Sequence, residues 1–311
     1  MSLNTIKGLF KRTRQSEKRV SVIGTIESGK TTALGLICLT CQTLSAQNKG
    51  FKSRIRERTS GIKQAPSDLR SGHFPQKTLP GSYYEADLLL KQESSFGSKV
   101  VTLPFCETAG EDIQKWISHF NESMYQQRPQ LQVVDELYKY VLNSHGFILV
   151  CPTSRALMHT DSAPIEEVPE GTSRDPDVNL SRIIDAIYDY KRQAKMQIEG
   201  IAVLATKQDM IQPYAQSMGI DLTNPVGMQK FMTSFFPDTS QSLKWYGLDK
   251  IRFFPSWVQV QRDQTGKPLK WPDKTHRILM NPRRARMPQY SELSYMNLIE
   301  WLINTFAVED K

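Results

Sequence analysis

Short apolar runs and longer amphipathic stretches take turns along this chain of 311 residues. Val20-Ser21-Val22-Ile23 is a mostly β-branched run that stops at Gly24, which predicts a short strand and an abrupt turn. In residues 31–44 Leu, Ile and Ala recur with helical spacing, which predicts a helix with an apolar face. Residues 83–90 and 99–106 predict two strands separated by a polar turn around 94–98. Helical patterns follow at 111–125 and 131–142. Gly146-Phe147-Ile148-Leu149-Val150 then has the composition of a buried strand. The alternation resumes with a helix over 180–197, a strand over 201–205, a helix over about 226–235, a strand over 251–254 and a last helix over 292–306. Strands alternating with helices predict an α/β fold, with a mainly parallel central sheet and helices on both faces. In such a sheet ligands bind beyond the carboxyl ends of the strands.

Three segments break the pattern. Residues 1–18 are a basic lead-in in which Leu3, Ile6, Leu9 and Phe10 recur at helical spacing, so they read as a short amphipathic helix or as a terminus docked on the core. Residues 47–80 hold eight Lys and Arg against Glu57 and Asp68 and are punctuated by Gly and Pro, which predicts a basic, loop-rich insertion. Residues 154–180 are acidic and Pro-rich and read as a surface loop or lid. The expected organisation is therefore one α/β domain over 19–260 carrying these two insertions. A basic extension and C-terminal helix, 261–311, would pack on it.

Composition narrows the function classes. Apolar residues at 39% and charged residues at 23% are those of a folded globular chain, and no apolar run is long enough to span a membrane. The beginning of the chain lacks a secretory signal pattern, and four cysteines in 311 residues predict reduced thiols rather than a disulfide framework. The expected compartment is the cytoplasm. Cys38-x-x-Cys41 has no second pair or His partner near it and reads as two buried helix residues. The net charge of +8 is concentrated: residues 261–290 have eight Lys and Arg against Asp263 and Asp273, a local +6. Such a segment suits an anionic membrane or nucleic acid, or else forms a solvated extension returning to the last helix, the reading favoured here.

The chemistry concentrates in three motifs. Gly24-Thr25-Ile26-Glu27-Ser28-Gly29-Lys30-Thr31 matches G-x-x-x-x-G-K-[ST], with a strand before it and a helix after it. Gly24 and Gly29 let the backbone curl so that amides of Glu27, Ser28 and Gly29 point at phosphate oxygens, and the helix start, with Thr32, adds its positive end. Lys30 supplies a cation to the outer phosphates and Thr31 a hydroxyl to Mg²⁺. In the second motif, Glu107 leaves the 99–106 strand three residues before Gly110, a spacing that suits a Mg²⁺-holding carboxylate and an amide for the terminal phosphate. In the third, Thr206-Lys207-Gln208-Asp209 follows the 201–205 strand. Asp209 can accept hydrogen bonds from guanine N1–H and its amino group, which adenine cannot offer, while the Lys207 stem lies along the base.

In this order the motifs resemble the Ras-like P-loop GTPases of the translation-factor class. Glu107-Thr108-Ala109-Gly110-Glu111-Asp112 is similar to the D-T-A-G-Q-E string of small GTPases, and Phe253-Phe254-Pro255-Ser256-Trp257 is similar in position to a strand-plus-serine loop whose backbone touches guanine O6. The resemblance implies a GTP-binding switch that hydrolyses GTP to GDP and phosphate with Mg²⁺ and acts through a protein effector or activator. It also implies a threonine of the first switch loop as a metal ligand. Thr78 is the best candidate and Thr59 the second. Two departures bear on activity. Glu107 stands where the family has Asp, and Glu111 stands where many members use Gln to orient water. They motivate the alternative of a hydrolysis-poor guanine-nucleotide-binding interaction module. A P-loop kinase or ATPase would leave Thr206–Asp209 without a task, and a purely nucleic-acid-binding protein would leave Lys30 without one.

Overall fold

The computed structural model describes residues 18–25, 27–59, 61–76, 78, 83–94, 97–108, 140–141, 143–153, 175–284 and 286–310. Among these residues eight strands form one mixed sheet: β1 (Val20–Gly24), β2 (Phe51–Glu57), β3 (Tyr83–Ser94), β4 (Gly97–Thr108), β5 (Gly146–Pro152), β6 (Gly200–Thr206), β7 (Ile251–Pro255) and β8 (Val308–Asp310). The order is β2-β3-β4-β1-β5-β6-β7, with β8 beside β4. The block β4-β1-β5-β6-β7 is parallel, with Val20 opposite both Phe105 and Gly146. The β2-β3-β4 side and the β8 contact are antiparallel.

Period-two alternation assigns the two faces. In β5 and β6, Ile148, Val150, Ala202 and Leu204 face one core, shared with helices α1 (Lys30–Gln47) and α7 (Glu292–Phe306). Phe147, Leu149, Val203 and Ala205 face the other, covered by α3 (Pro176–Gln193) and α5 (Pro225–Phe235). Both faces of the central strands are therefore buried, as their uninterrupted apolar sequences require. Helix α1 is apolar nearly all round, since the sheet, α7 and the short α2 (Gln64–Arg70) all pack on it. Among the described residues no helix is long and apolar enough to cross a membrane.

The segment 47–80 departs from the loop-rich expectation. It contains the edge strand β2 and helix α2. Phe51, Ser53 and Ile55 alternate with exposed Lys52, Arg54 and Arg56, so a period of two was present beneath the charge. Two further helices, α4 (Gln208–Ser217) and α6 (Pro237–Leu243), and strand β8 also lie outside the sequence expectation. Residues 1–17, 109–139 and 154–174 lie outside the described residues. With them go the amphipathic lead-in, most of the acidic segment and the helical patterns after Glu111.

The described residues of 258–290, many of them exposed, form three short β-arms, closed by bridges at Arg262–Pro268, Lys270–His276 and Met280–Pro288. Each turn carries one left-handed residue, Gly266, Lys274 or Arg286. Two closed rings of three backbone hydrogen bonds join the arms. In one, Gln259 N–H donates to Gln289 O (2.9 Å), Gln289 to Leu279 (2.8 Å) and Leu279 back to Gln259 (2.7 Å). In the other, Gln261 donates to Arg277 (2.8 Å), Arg277 to Leu269 (3.0 Å) and Leu269 back to Gln261 (2.8 Å). Val258, Ile278 and Tyr290 anchor this unit in the α1/α7 core.

Candidate functional site

The turn from β1 into α1 builds the phosphate loop. A Cβ on Gly24 would stand 2.4 Å from Ser28 Oγ and 2.9 Å from Val150 O, so only glycine fits there. Gly29 caps α1 at φ 93, a left-handed conformation that favours glycine, and Glu27 is also left-handed at φ 56. No side chain caps this helix and its first turn holds no acid, so the positive end of its dipole is not neutralised by the helix itself. Lys30, itself buried, donates from Nζ to Gly24 O (3.1 Å) and Thr25 O (2.9 Å) and so folds back over the loop.

Beside the loop lies a cluster of oxygens. Thr31 Oγ1 and Thr78 Oγ1 each donate to Glu107 Oε1 at 2.8 Å, and the two hydroxyls are 3.4 Å apart. Glu107 is 1% exposed, and its second oxygen, Oε2, is buried with no hydrogen-bond partner. Burial raises its pKa, which the Lys30 charge and the two hydroxyl hydrogen bonds oppose. An orphaned carboxylate oxygen beside two hydroxyls that can turn their lone pairs outward is a hard-oxygen donor set that fits Mg²⁺. Thr59 does not reach this cluster: its hydroxyl accepts the Glu85 N–H at 2.7 Å, at the end of β2.

The third motif closes on the same place. Thr206 ends β6, and its hydroxyl donates to Ser28 O at 2.6 Å and lies 3.3 Å from Cys151 O. Lys207 takes a left-handed conformation, φ 60, and starts α4 without a side-chain cap. Burial lowers the Lys207 pKa and raises that of Asp209. Asp209 is in turn held down by its own backbone N–H, by Arg262 and by Lys207. Ser256 follows β7 and is buried. Its N–H donates to Ala205 O at 2.8 Å and its hydroxyl pairs with Tyr295 at 2.8 Å. The Trp257 N–H donates to Ser291 Oγ at 3.2 Å. Both backbone amides expected to reach guanine O6 are thus engaged within the protein.

One cavity of about 560 Å³ joins these groups. Its lining includes residues 27–33 of the phosphate loop, Thr78 and Glu107, and Thr206, Lys207 and Asp209, together with Ser256 and Trp257. Gly110 and Glu111 lie outside the described residues. Sequence reasoning missed two walls. One is Phe74, Pro75 and Gln76, leading to Thr78. The other is contributed by the β-arms through Val258, Val260, Arg262, Pro268, Thr275 and His276. The walls touch each other: Gly72 O accepts from Ile278 N (3.0 Å) and from Trp271 Nε1 (3.3 Å), and His73 stacks on Trp271 at 4.3 Å. No local signal marks these residues, because their partners lie about two hundred positions away.

Among the described residues no group of three or more His, Cys, Asp or Glu is placed to hold a metal. The four cysteines are buried and free, and burial pushes the Cys38 thiol up to about 12, so Cys38-x-x-Cys41 packs in α1 as small apolar residues do.

No family model and no curated protein matches this chain. Among solved structures it is similar to LeoA, a bacterial dynamin GTPase from ETEC, at 10% identity and a TM-score of 0.34. The overlap covers 81% of this chain and 32% of that one, so this chain spans about a third of its neighbour's length. A likeness this loose carries no weight for activity or partners.

Proposed function

We propose that this chain is a Ras-like P-loop GTPase: it binds GTP and GDP with Mg²⁺, hydrolyses GTP and works as a molecular switch. One observation carries the reading: the phosphate loop, the Thr31–Thr78–Glu107 oxygens and Asp209 line a single cavity of about 560 Å³. A nucleoside triphosphate satisfies all three parts at once. Its phosphates meet the uncapped start of α1 and the Lys30 ammonium, which exchanges its loop carbonyls for phosphate oxygens. Thr31, Thr78 and Glu107 would hold Mg²⁺, which would neutralise charge at the outer phosphates. Asp209 accepts the N1–H and amino group of guanine, and adenine leaves that half-buried carboxylate without donors. Thr78 is joined through residues 72–76 to the β-arms, so a change at the terminal phosphate is felt there.

The test is nucleotide selectivity of the full chain with Mg²⁺. GTP and GDP are expected to bind tightly, and ATP at least a hundredfold more weakly. Equal binding of ATP and GTP, or binding of neither, overturns the reading. Single-turnover release of phosphate above the spontaneous rate, alone or with a partner, separates the GTPase from the hydrolysis-poor binding module.

A further inference from the structure

We propose that Arg262, supplied by the first β-arm, is a base-reading residue: its guanidinium donates to the O6 and N7 edge of guanine while Asp209 takes the opposite donors. This rests on the guanine-nucleotide reading above and deepens it at the same site.

Four observations converge. First, Arg262 lines the same cavity as Lys207, Asp209 and Trp257, and its charge acts on Asp209. Second, O6 lacks its expected backbone donors, because the Ser256 and Trp257 amides are spent on Ala205 and Ser291, and the nearby Thr206 hydroxyl is spent on Ser28 O. Third, a guanidinium has five donors in a rigid fork that matches O6 and N7 of guanine as a bidentate pair, and Arg262 commits Nη1 to Gly266 O at 2.8 Å. Adenine presents an amino group in place of O6 and repels such a fork. Fourth, the arm is built to hold this side chain in place. Arg262 bridges to Pro268. Asp263 Oδ1 accepts from the Thr265 and Lys267 amides, and the neighbouring Gln261 belongs to a closed hydrogen-bond ring.

The geometry assigns a purpose to the arms that charge alone does not. Lys267, Lys270 and Lys274 are exposed and lie away from the cavity, whereas Arg262, also exposed, is part of its lining. The arms complete the nucleotide site.

The experiment compares GDP, 7-deaza-GDP and ADP on the full-length wild type and on Arg262→Ala and Arg262→Lys, by calorimetry. Wild type is expected to bind GDP at least tenfold more tightly than 7-deaza-GDP. Arg262→Ala is expected to lose ten- to a hundredfold in GDP affinity and to bind the two guanine ligands alike, with ADP binding no weaker than in wild type. Arg262→Lys cannot reproduce the fork and is expected to stay near Arg262→Ala. Wild type binding GDP and 7-deaza-GDP equally overturns the proposal without any variant. So does an Arg262→Ala that binds GDP as wild type does, or that loses GDP and 7-deaza-GDP in equal measure. In either case guanine over adenine selectivity in the wild type leaves the guanine-nucleotide reading standing, and its absence overturns both.

Discussion

The Thr206 hydroxyl donates to the Ser28 carbonyl at 2.6 Å, joining the base end of the cavity to the phosphate loop across 178 residues of sequence. Both groups are buried, so the bond has no water to replace it. Removing it with Thr206→Val leaves the Ser28 carbonyl without this donor, at a cost of about 1–3 kcal/mol. Because the phosphate loop loses its brace, the expected outcome is a loss of about tenfold in GDP affinity. Calorimetric titration checks it, and Thr206→Ser, which keeps the hydroxyl, is expected to bind as wild type does.

Thr78 donates to Glu107 from the chain segment that leads away from the β-arms. Thr78→Ala takes one of the two hydroxyls from the Glu107 carboxylate. The Mg²⁺ concentration for half-maximal GTP binding is expected to rise about tenfold, roughly 1.4 kcal/mol, with Mg²⁺-free affinity unchanged. A Mg²⁺ titration at fixed GTP reads this directly, and Thr59→Ala, remote from the cluster, is the matched control.

Burial lifts the Asp209 carboxyl above its ordinary 3.8, against the pull of its own N–H, Arg262 and Lys207. Guanine requires the ionised form. The preference for GDP over ADP is therefore present above the raised value and lost as pH falls through it. In the nucleotide-free protein the sign is reversed. Asp209 contributes stability that is full below 3.8 and is lost as pH rises through the raised value. GDP affinity measured from acid to neutral pH is expected to show this acid limb. Asp209→Asn is expected to remove the limb and to turn the preference toward xanthosine nucleotides.

At Gly24 a methyl group meets Ser28 Oγ at 2.4 Å and Val150 O at 2.9 Å. The serine hydroxyl can rotate away but the carbonyl of β5 cannot. Gly24→Ala is expected to destabilise the fold by about 1–3 kcal/mol and to displace the loop that cradles phosphate. A lower unfolding temperature together with lost GDP binding is the expected pair of results. A retained unfolding temperature and affinity would show that the loop gives way easily.

The phosphate loop, Glu107 and Thr206–Asp209 were legible because each motif is contiguous and each stands where an apolar strand stops. Strand β5 and helix α7 were legible for a related reason: their apolar patterns run without interruption, and only a buried strand or a packed helix face accommodates them. Strand β2 was obscured by Lys52, Arg54 and Arg56. These charges occupy one side of an edge strand whose other side carries Phe51 and Ile55, so the composition read as a loop although the alternation was present.

By itself, then, the amino-acid sequence determined the alternating strands and helices and the contiguous motifs at the ends of β1, β4 and β6. Each of these is set by backbone geometry over three to eight residues. The tertiary structure alone decided that Thr31, Thr78 and Glu107 share one cluster, that the Ser256 and Trp257 amides are spent, and that the basic residues 258–290 fold into arms walling the cavity. Those outcomes depend on hydrogen bonds between groups far apart along the chain, such as Gly72 with Ile278 and Thr40 with Tyr290. Their register comes from packing against a shared core, and packing leaves no periodic trace in the order of residues.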